Sequence, residues 1–279
     1  KIIIVFICFL CPGFVNSQWI EQELPVDTGI MLSIDFTSSN TGISGGWKFD
    51  AKPRARALYT TNSGSNWLLA TDPDSGRAYV AVQMFDSQNG YMSGAYNSTV
   101  NLTSAVNPNS VYSRRYYEQF FKTQEKNGVA GFPDYRAMFL KTTDHGQTWN
   151  TYGVIPEKYT YSQDMDFFDM NTGYMVASIQ DLSTFRSGIL RTTNSGLTWS
   201  ELLSLPIDGS LNSVVCTGAE RVFVTGAEIR NDSLFGVIMK STSAGSSWEI
   251  NYYPDITFED VFFTNASTGF VVGSNETEQ

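Results

Sequence analysis

The chain has 279 residues, of which 42% are hydrophobic, 14% aromatic and only 16% charged, a composition that can bury a sizeable core and excludes a disordered polymer. Its 18 Lys+Arg against 28 Asp+Glu give a net charge of −10, which argues against nucleic acid as the main partner. The 23 glycines and the low charge favour short strands and turns, so we expect an all-β fold.

Residues 1–17 have the layout of a secretory signal peptide: a charged first residue, an apolar run over 2–11 and a helix-breaking Pro-Gly pair. The run is shorter than the roughly 20 residues of a spanning helix, which disfavours a membrane anchor; a buried strand is the other alternative. We expect a secreted, periplasmic or cell-surface protein without a membrane span. Cleavage after Ser17 leaves Cys216 as the only cysteine, so we expect no internal disulfide.

One short phrase occurs four times along the chain, over 60–67, 142–149, 192–199 and 241–248. Each copy begins with Ser or Thr, contains a glycine and ends in a tryptophan; we call these the turn phrases. Their tryptophans are 82, 50 and 49 residues apart, and a period near 50 is typical of propeller blades. A second phrase, Asn-Thr-Gly or a variant of it, precedes each copy.

Four apolar segments separated by turn signals fill the third unit, over 164–168, 173–177, 188–191 and 199–205. Four antiparallel strands make one propeller blade. In each turn phrase the Asp, Asn or Ser accepts backbone N–H bonds, the glycine adopts a conformation that other residues resist, and the tryptophan packs between units. We assign this structural role to Asn62, Gly64, Trp67, Asp144, Gly146, Trp149, Asn194, Gly196, Trp199, Ser243, Gly245 and Trp248. The first and fourth copies depart from the pattern at Asn66 and Ser243, so we expect looser turns there.

The repeats define the expected blades. They predict blades over 28–75, over 76–156 with an insertion at about 97–134, over 157–207 and over 208–254, followed by a partial fifth over 255–279. Residues 19–25 copy the fourth-strand pattern and are predicted to be a closing strand, beside the fifth unit in a ring or unpaired in an open arc, which we favour. We expect the chain to be a fragment of a six- or seven-bladed ring.

The turn phrases resemble Asp-boxes (BNR-like repeats), the Ser/Thr-x-Asp-x-Gly-x-Thr-Trp turns of sialidases, sortilin-type receptors and photosystem II stability/assembly factor-like propellers. The pairing of Asn-Thr-Gly-Tyr at 171–174 with Arg-Thr-Thr-Asn at 191–194 is most similar to that last group. The resemblance covers nearly all of residues 19–279 and implies a β-propeller. It implies little about activity, because Asp-boxes in these families are structural turns that lie away from the ligand.

The insertion of the second unit carries the candidate ligand-binding residues Arg114, Arg115, Tyr116 and Tyr117, since long loops rich in arginine and aromatic residues are often binding elements. The first and third turns of a four-strand meander share one face. The turn phrases therefore lie on one face of the propeller, the turn-phrase face, and the insertion lies on the other, the insertion face. The alternative is a helix-like cover that packs its aromatic residues onto a blade edge.

Catalytic chemistry is poorly represented in the sequence. The single histidine, His145, lies within a turn phrase, and one histidine with one cysteine makes no zinc site of ordinary type, so we expect no metal and no cofactor. Six carboxylates near first strands leave a glycosidase open: Asp164 and Asp166, which share one face of a strand, and Asp169, Asp255, Glu259 and Asp260. The Arg-Ile-Pro phrase of sialidases is not matched. The sequence predicts an exported, non-catalytic propeller that binds a protein or a glycan, with a sialidase- or xyloglucanase-like hydrolase as the alternative.

Overall fold

The computed structural model describes residues 2–4, 20–25, 30–48, 54–71, 77–101, 133–180, 185–205 and 209–275. Every regular element in these ranges is a β-strand, which confirms the predicted all-β class. The same ranges contain no helix that is long and apolar enough to cross a membrane.

The first two strands form a two-stranded sheet of their own. β1 (Ile2–Ile4) pairs antiparallel with β2 (Ile20–Gln22). β2 lies within the predicted closing strand 19–25, for which we expected either a place beside the fifth unit or no partner. The structure differs from this expectation, because an apolar segment close by in the chain supplies the backbone partners of β2.

Four antiparallel four-stranded sheets follow, and in each of them every strand pairs with its neighbours in the sequence. The first sheet contains β3 (Ile30–Phe36), β4 (Gly42–Lys48), β5 (Arg54–Thr60) and β6 (Leu68–Leu69). The second contains β7 (Arg77–Met84), β8 (Gly90–Asn101), β9 (Pro133–Thr142) and β10 (Asn150–Thr151). The third contains β11 (Tyr159–Phe167), β12 (Gly173–Gln180), β13 (Phe185–Thr192) and β14 (Ser200–Ser204). The fourth contains β15 (Gly209–Gly218), β16 (Arg221–Arg230), β17 (Ser233–Ser241) and β18 (Glu249–Pro254).

A two-stranded sheet of β19 (Ile256–Asn265) and β20 (Thr268–Asn275) completes the described fold. Its strands occupy the places of the first and second strands of the preceding sheets. The predicted architecture of four complete propeller blades and a partial fifth is therefore confirmed.

The cores of the protein lie between the blades rather than within them. Between the second and third blades, Phe139 of β9 packs against Phe167 of β11 with ring centroids 5.8 Å apart, and Trp199 contacts both rings edge-on. Between the first and second blades, Ile43 and Trp149 belong to one buried cluster. Each blade is thus stabilised by the apolar face of its neighbour, as in other repeat architectures.

The turn-phrase tryptophans are not all equally buried. Trp67, Trp149 and Trp199 expose only 4%, 3% and 4% of their surface. Trp248 is only partly buried, and so are the side chains of Leu202 and Ile250 that pack against the same cluster. This end of the junction between the third and fourth blades therefore stays accessible to solvent, so the predicted packing of the tryptophan between units is less complete in the fourth copy than in the other three.

Candidate functional site

Each turn phrase is closed by the same two side-chain to backbone hydrogen bonds. In the second copy Thr142 Oγ1 accepts from Gly146 N at 3.1 Å, and Asp144 Oδ1 accepts from Thr148 N at 2.9 Å. The corresponding distances are 3.0 and 2.9 Å in the first copy, 3.0 and 3.0 Å in the third, and 2.9 and 3.0 Å in the fourth. These distances do not single out the first and fourth copies, so the looser turns expected at Asn66 and Ser243 are not seen.

The turn phrases also hold neighbouring segments together. Both residues at the tip of the second copy have positive φ, 65° at His145 and 79° at Gly146. A Cβ on Gly146 would lie 2.6 Å from Cγ2 of Ile43 in the first blade, so only glycine fits this contact between blades. His145 N donates to Gln88 O at 3.2 Å, and its Nδ1 lies 2.6 Å from Ser87 O. The histidine therefore ties the turn phrase to the first turn of its own blade.

These bonds fix the two faces of the propeller. The backbone N–H of Ser63 bonds to Asn40 O at 3.0 Å, and that of Ser195 bonds to Asn171 O at 3.0 Å. First turns and turn phrases therefore share one face. The ends of β8 and β9, at Asn101 and Pro133, lie at the opposite ends of their strands, on the insertion face. Arg114, Arg115, Tyr116 and Tyr117 lie outside the described residues.

The described part of the insertion face is rich in arginine. Arg77 and Arg136 both pair in register with Tyr96, which is 39% exposed, so the three side chains lie on one face of the second blade. Arg186 lies at the start of β13 in the third blade, and Arg230 lies at the end of β16 in the fourth. We call Arg77, Arg136, Arg186 and Arg230 the arginine set. All four stand at strand ends away from the turn phrases.

Two members of the set occupy one repeated position. Arg136 and Arg186 each lie six residues before the first residue of a turn phrase, as does Arg54 in the first blade, whereas Phe235 takes this place in the fourth. These arginines were not predicted as binding residues from the sequence, where the insertion provided the candidates. Aligning the repeats on their turn phrases would have revealed them.

Buried aromatic side chains also lie at this end of the first three blades. Trp47, Tyr135 and Tyr161 expose 6%, 3% and 8% of their surface and form one cluster across the first three blades. Burial raises the pKa of Tyr135 to about 12, so its phenol stays neutral at physiological pH. Three members of the arginine set, Arg77, Arg136 and Arg186, therefore lie at the same end of the blades as a packed aromatic cluster.

Arg230 illustrates the polar chemistry of this face. Its guanidinium carbon lies 4.0 Å from the ring centroid of Tyr252, and it is ion-paired with Glu228, whose side chain is almost wholly buried. It also donates a hydrogen bond to the Tyr252 hydroxyl. The stacked and charge-paired arrangement holds the guanidinium in a fixed orientation.

Carboxylates on the first strands of two blades join those blades to the blades that follow. Asp164 Oδ2 accepts from Val214 N at 2.9 Å, and Asp166 Oδ2 accepts from Cys216 N at 2.7 Å. Asp35 Oδ2 makes the corresponding bond in the first junction, to Met84 N at 2.6 Å. Burial raises the pKa of each of these three carboxyl groups, to about 7 for Asp164. The two aspartates that could have formed a catalytic pair instead satisfy backbone groups of the next blade.

Metal ligands are not gathered in the described part of the chain. Its His, Cys, Asp and Glu side chains form no group of three or more that could hold an ion. Cys216 is free, and its Sγ lies 3.2 Å from Asp166 Oδ2. We therefore assign no cofactor-binding or metal-binding role to any described residue.

Comparison with known proteins reveals similarity in fold only. The chain matches no protein-family model and no curated protein sequence. It is similar to a structure of YCF48 bound to a D1 peptide, with 14% identity, a TM-score of 0.41, and coverage of 90% of this chain and 92% of that chain.

Two further structures superpose better. A PL25 ulvan lyase, a polysaccharide lyase, has a TM-score of 0.59 at 8% identity, covering 94% of this chain and 65% of its own. The K499G mutant of NanB sialidase from Streptococcus pneumoniae has a TM-score of 0.52 at 10% identity, covering 84% and 54%. At these identities the likeness extends to the fold and to no particular residue. The predicted resemblance to sialidase propellers is confirmed at the level of the fold, and the chain is a β-propeller.

Proposed function

We propose that the chain is an exported, non-catalytic β-propeller that binds a protein or a glycan through its insertion face, and that the groups it recognises on that ligand are carboxylates. The observation that carries this proposal is the recurrence of arginine at one position, Arg136 and Arg186, in successive blades on that face. Export rests on the signal-peptide pattern of residues 1–17, so the pairing of β1 with β2 is that of the uncleaved chain.

Arginine supports carboxylate recognition for a geometric reason. Its planar guanidinium matches the two oxygens of a carboxylate, and a bidentate contact is stronger than one between neutral groups. The whole chain has a net charge of −10, so a local excess of arginine is not a consequence of composition. An acidic ligand would be drawn to this face and repelled by the rest of the surface.

A binding role is favoured over hydrolysis by the use of the acidic residues. Asp164 and Asp166 each accept a backbone N–H from the fourth blade, so neither carboxylate is held ready for a substrate. The lyase and the sialidase are similar to this chain at 8% and 10% identity, too low for their catalytic residues to be transferred. Neither of these two aspartates therefore supports the glycosidase alternative.

Binding is tested with two acidic probes. Fluorescence anisotropy measures the affinity of a labelled ten-residue poly-glutamate peptide and of a labelled galacturonic acid oligomer of similar charge. We expect only one of the two probes to bind. Binding of the peptide would indicate a protein ligand, and binding of the galacturonic acid oligomer would indicate a glycan. Arg136→Gln should weaken that binding about tenfold, the loss expected for one charge-assisted contact.

Lys240→Gln is the matched control. Lys240 lies on β17 and is paired with Glu249 at 3.6 Å, near the turn-phrase face, and its replacement changes the net charge by the same amount as Arg136→Gln. An equal loss of affinity in both variants would show that only net charge matters and would refute the proposed face. Hydrolysis of aryl glycosides by the wild-type chain, abolished by Asp164→Asn, would refute the non-catalytic role.

A further inference from the structure

Ser213 lies between two carboxyl groups that belong to different blades. Its side chain is buried, with 4% exposure, and it lies on β15, the first strand of the fourth blade. Ser213 Oγ is 2.9 Å from Asp164 Oδ2 of the third blade and 2.8 Å from Asp260 Oδ1 of the fifth. A hydroxyl group has one proton to donate. If both aspartates were ionised, one of these short contacts would join two oxygen atoms with no hydrogen between them, so the arrangement requires a second proton.

The surrounding bonds indicate which carboxyl group holds that proton. Asp164 is the more buried of the two aspartates, and Asp260 is exposed, so the ionised form of Asp260 keeps more of its hydration. A proton on Asp164 Oδ2 can be donated to Ser213 Oγ, whose own proton is then donated to Asp260. The remaining lone pair of Asp164 Oδ2 still accepts the Val214 N–H. Every donor in this arrangement then has an acceptor.

We propose that Asp164, Ser213 and Asp260 form a proton-binding site that joins the third, fourth and fifth blades, and that this junction weakens when the proton is lost. Without the proton, Ser213 bonds to one carboxylate only, and the two negative charges repel each other across it. In the first blade the residue equivalent to Asp164 is Ser33, whose Oγ accepts Val82 N–H at 3.1 Å as Asp164 accepts Val214 N–H. That junction has one carboxylate, Asp35, and no serine shared between two.

The electrostatic surroundings support the proton on Asp164. Burial raises the pKa of Asp164 to about 7 and the negative charge of Asp166 adds to the rise, although hydrogen bonds from Val214 and Ser213 oppose it. The titratable or charged groups of the packed strands that face this junction are Asp166 of β11, Tyr174 of β12, Arg191 of β13, Cys216 of β15 and Asp260 of β19.

The sign of the pH dependence follows from this shift. The folded chain keeps the proton up to about pH 7, whereas an unfolded aspartate releases it near pH 3.9, about its ordinary value. The stabilisation is therefore complete below about pH 4 and is lost as the pH rises through about 7. The fifth blade should open more readily in alkaline than in mildly acidic solution.

The test replaces the exposed aspartate. In Asp260→Asn the amide group can donate to Ser213, whose hydroxyl is then free to donate to the Asp164 carboxylate. We expect the pKa of Asp164, followed by its carboxyl ¹³C shift during a titration of the full chain, to fall by roughly one unit or more. Comparison with Asp164→Asn assigns the resonance. An unchanged Asp164 titration in Asp260→Asn would overturn the shared proton.

Asp35→Asn is the matched control, since Asp35 also joins two blades but does not contact Ser213. It should leave the Asp164 titration unchanged, and an equal fall in this variant would show a general charge effect and refute the site.

Amide exchange in β19 and β20, corrected for its intrinsic pH dependence, tests whether loss of the proton weakens the junction with the fifth blade. We expect faster exchange at pH 8 than at pH 6 in the wild type but not in Asp164→Asn. Equal corrected rates in the wild type would refute this weakening.

Discussion

The two faces of this propeller differ in how their polar groups are used. On the turn-phrase face, side chains such as Thr142 and Asp144 bond to backbone groups of the same turn, and four copies repeat this arrangement. On the insertion face, the residue at the equivalent strand end changes from Arg136 and Arg186 to Phe235.

This difference separates structural positions from binding positions in a repeat protein. A residue that must close a turn in every blade has the same task each time, so its chemistry recurs. A residue that contacts a ligand is needed only in the blades that the ligand reaches, so its chemistry can change in the others. The turn residues therefore recur in all four copies, whereas the arginine found at Arg136 and Arg186 is replaced by Phe235 in the fourth blade.

The largest expected effect is a loss of stability of the protein when a tryptophan of a turn phrase is removed. Trp149→Ala removes a ring that is 3% exposed and packed between the first two blades. We expect a destabilisation of about 3–5 kcal/mol by urea unfolding, as for other large core truncations. Trp248→Ala, at the partly buried position, should cost less. Equal losses in the two variants would mean that burial between blades does not set the cost.

The next effect concerns the acid of the second turn phrase. Asp144→Ala removes the acceptor for Thr148 N and Thr148 Oγ1, and we expect a loss of about 1–2 kcal/mol by thermal or urea unfolding. Asp144→Asn should cost much less, because Asn62 and Asn194 already close the first and third turns in the same way. A loss for Asp144→Asn as large as for Asp144→Ala would show that the turn needs the charge rather than the acceptor.

The same aspartate gives this turn a pH dependence of opposite sign to that of Asp164. Burial would raise the pKa of Asp144, but hydrogen bonds from Thr148 and Thr142 outweigh it and lower the pKa below its ordinary value. Its contribution to stability is therefore present above about pH 4 and is lost as the pH falls further. In acid unfolding monitored by circular dichroism, Asp144→Asn should lose less stability than the wild type below pH 4. Identical acid profiles would contradict this role.

The smallest expected effect sharpens the comparison on the insertion face. Phe235→Arg gives the fourth blade the residue found at the same position in the second and third. We expect the acidic probe that binds the wild type to bind this variant about two- to fivefold more tightly, the range expected for one exposed charge pair. Phe235→Gln controls for the loss of the aromatic ring, and a gain of similar size in that variant would contradict a role for the charge.

The sequence alone was sufficient for those parts of the fold that depend on local chemistry. The turn phrases and the strand alternation predicted the four-stranded sheets, because a glycine-containing turn and an apolar strand need only their own neighbours. The bonds of Asp164 and Asp166 to the fourth blade could not be predicted, because they depend on the register between β11 and β15, about 50 residues apart. The pairing of β2 with β1 could not be predicted either, because the local sequence does not show which segment pairs with β2.

Hydrogen exchange of the wild-type chain, with and without the acidic probe that binds it, tests the central claim most directly. The account predicts added protection at the starts of β9 and β13, where Arg136 and Arg186 lie, and unchanged exchange in the four turn phrases. Protection confined to the turn phrases, with none at these strand starts, would contradict the assignment of binding to the insertion face.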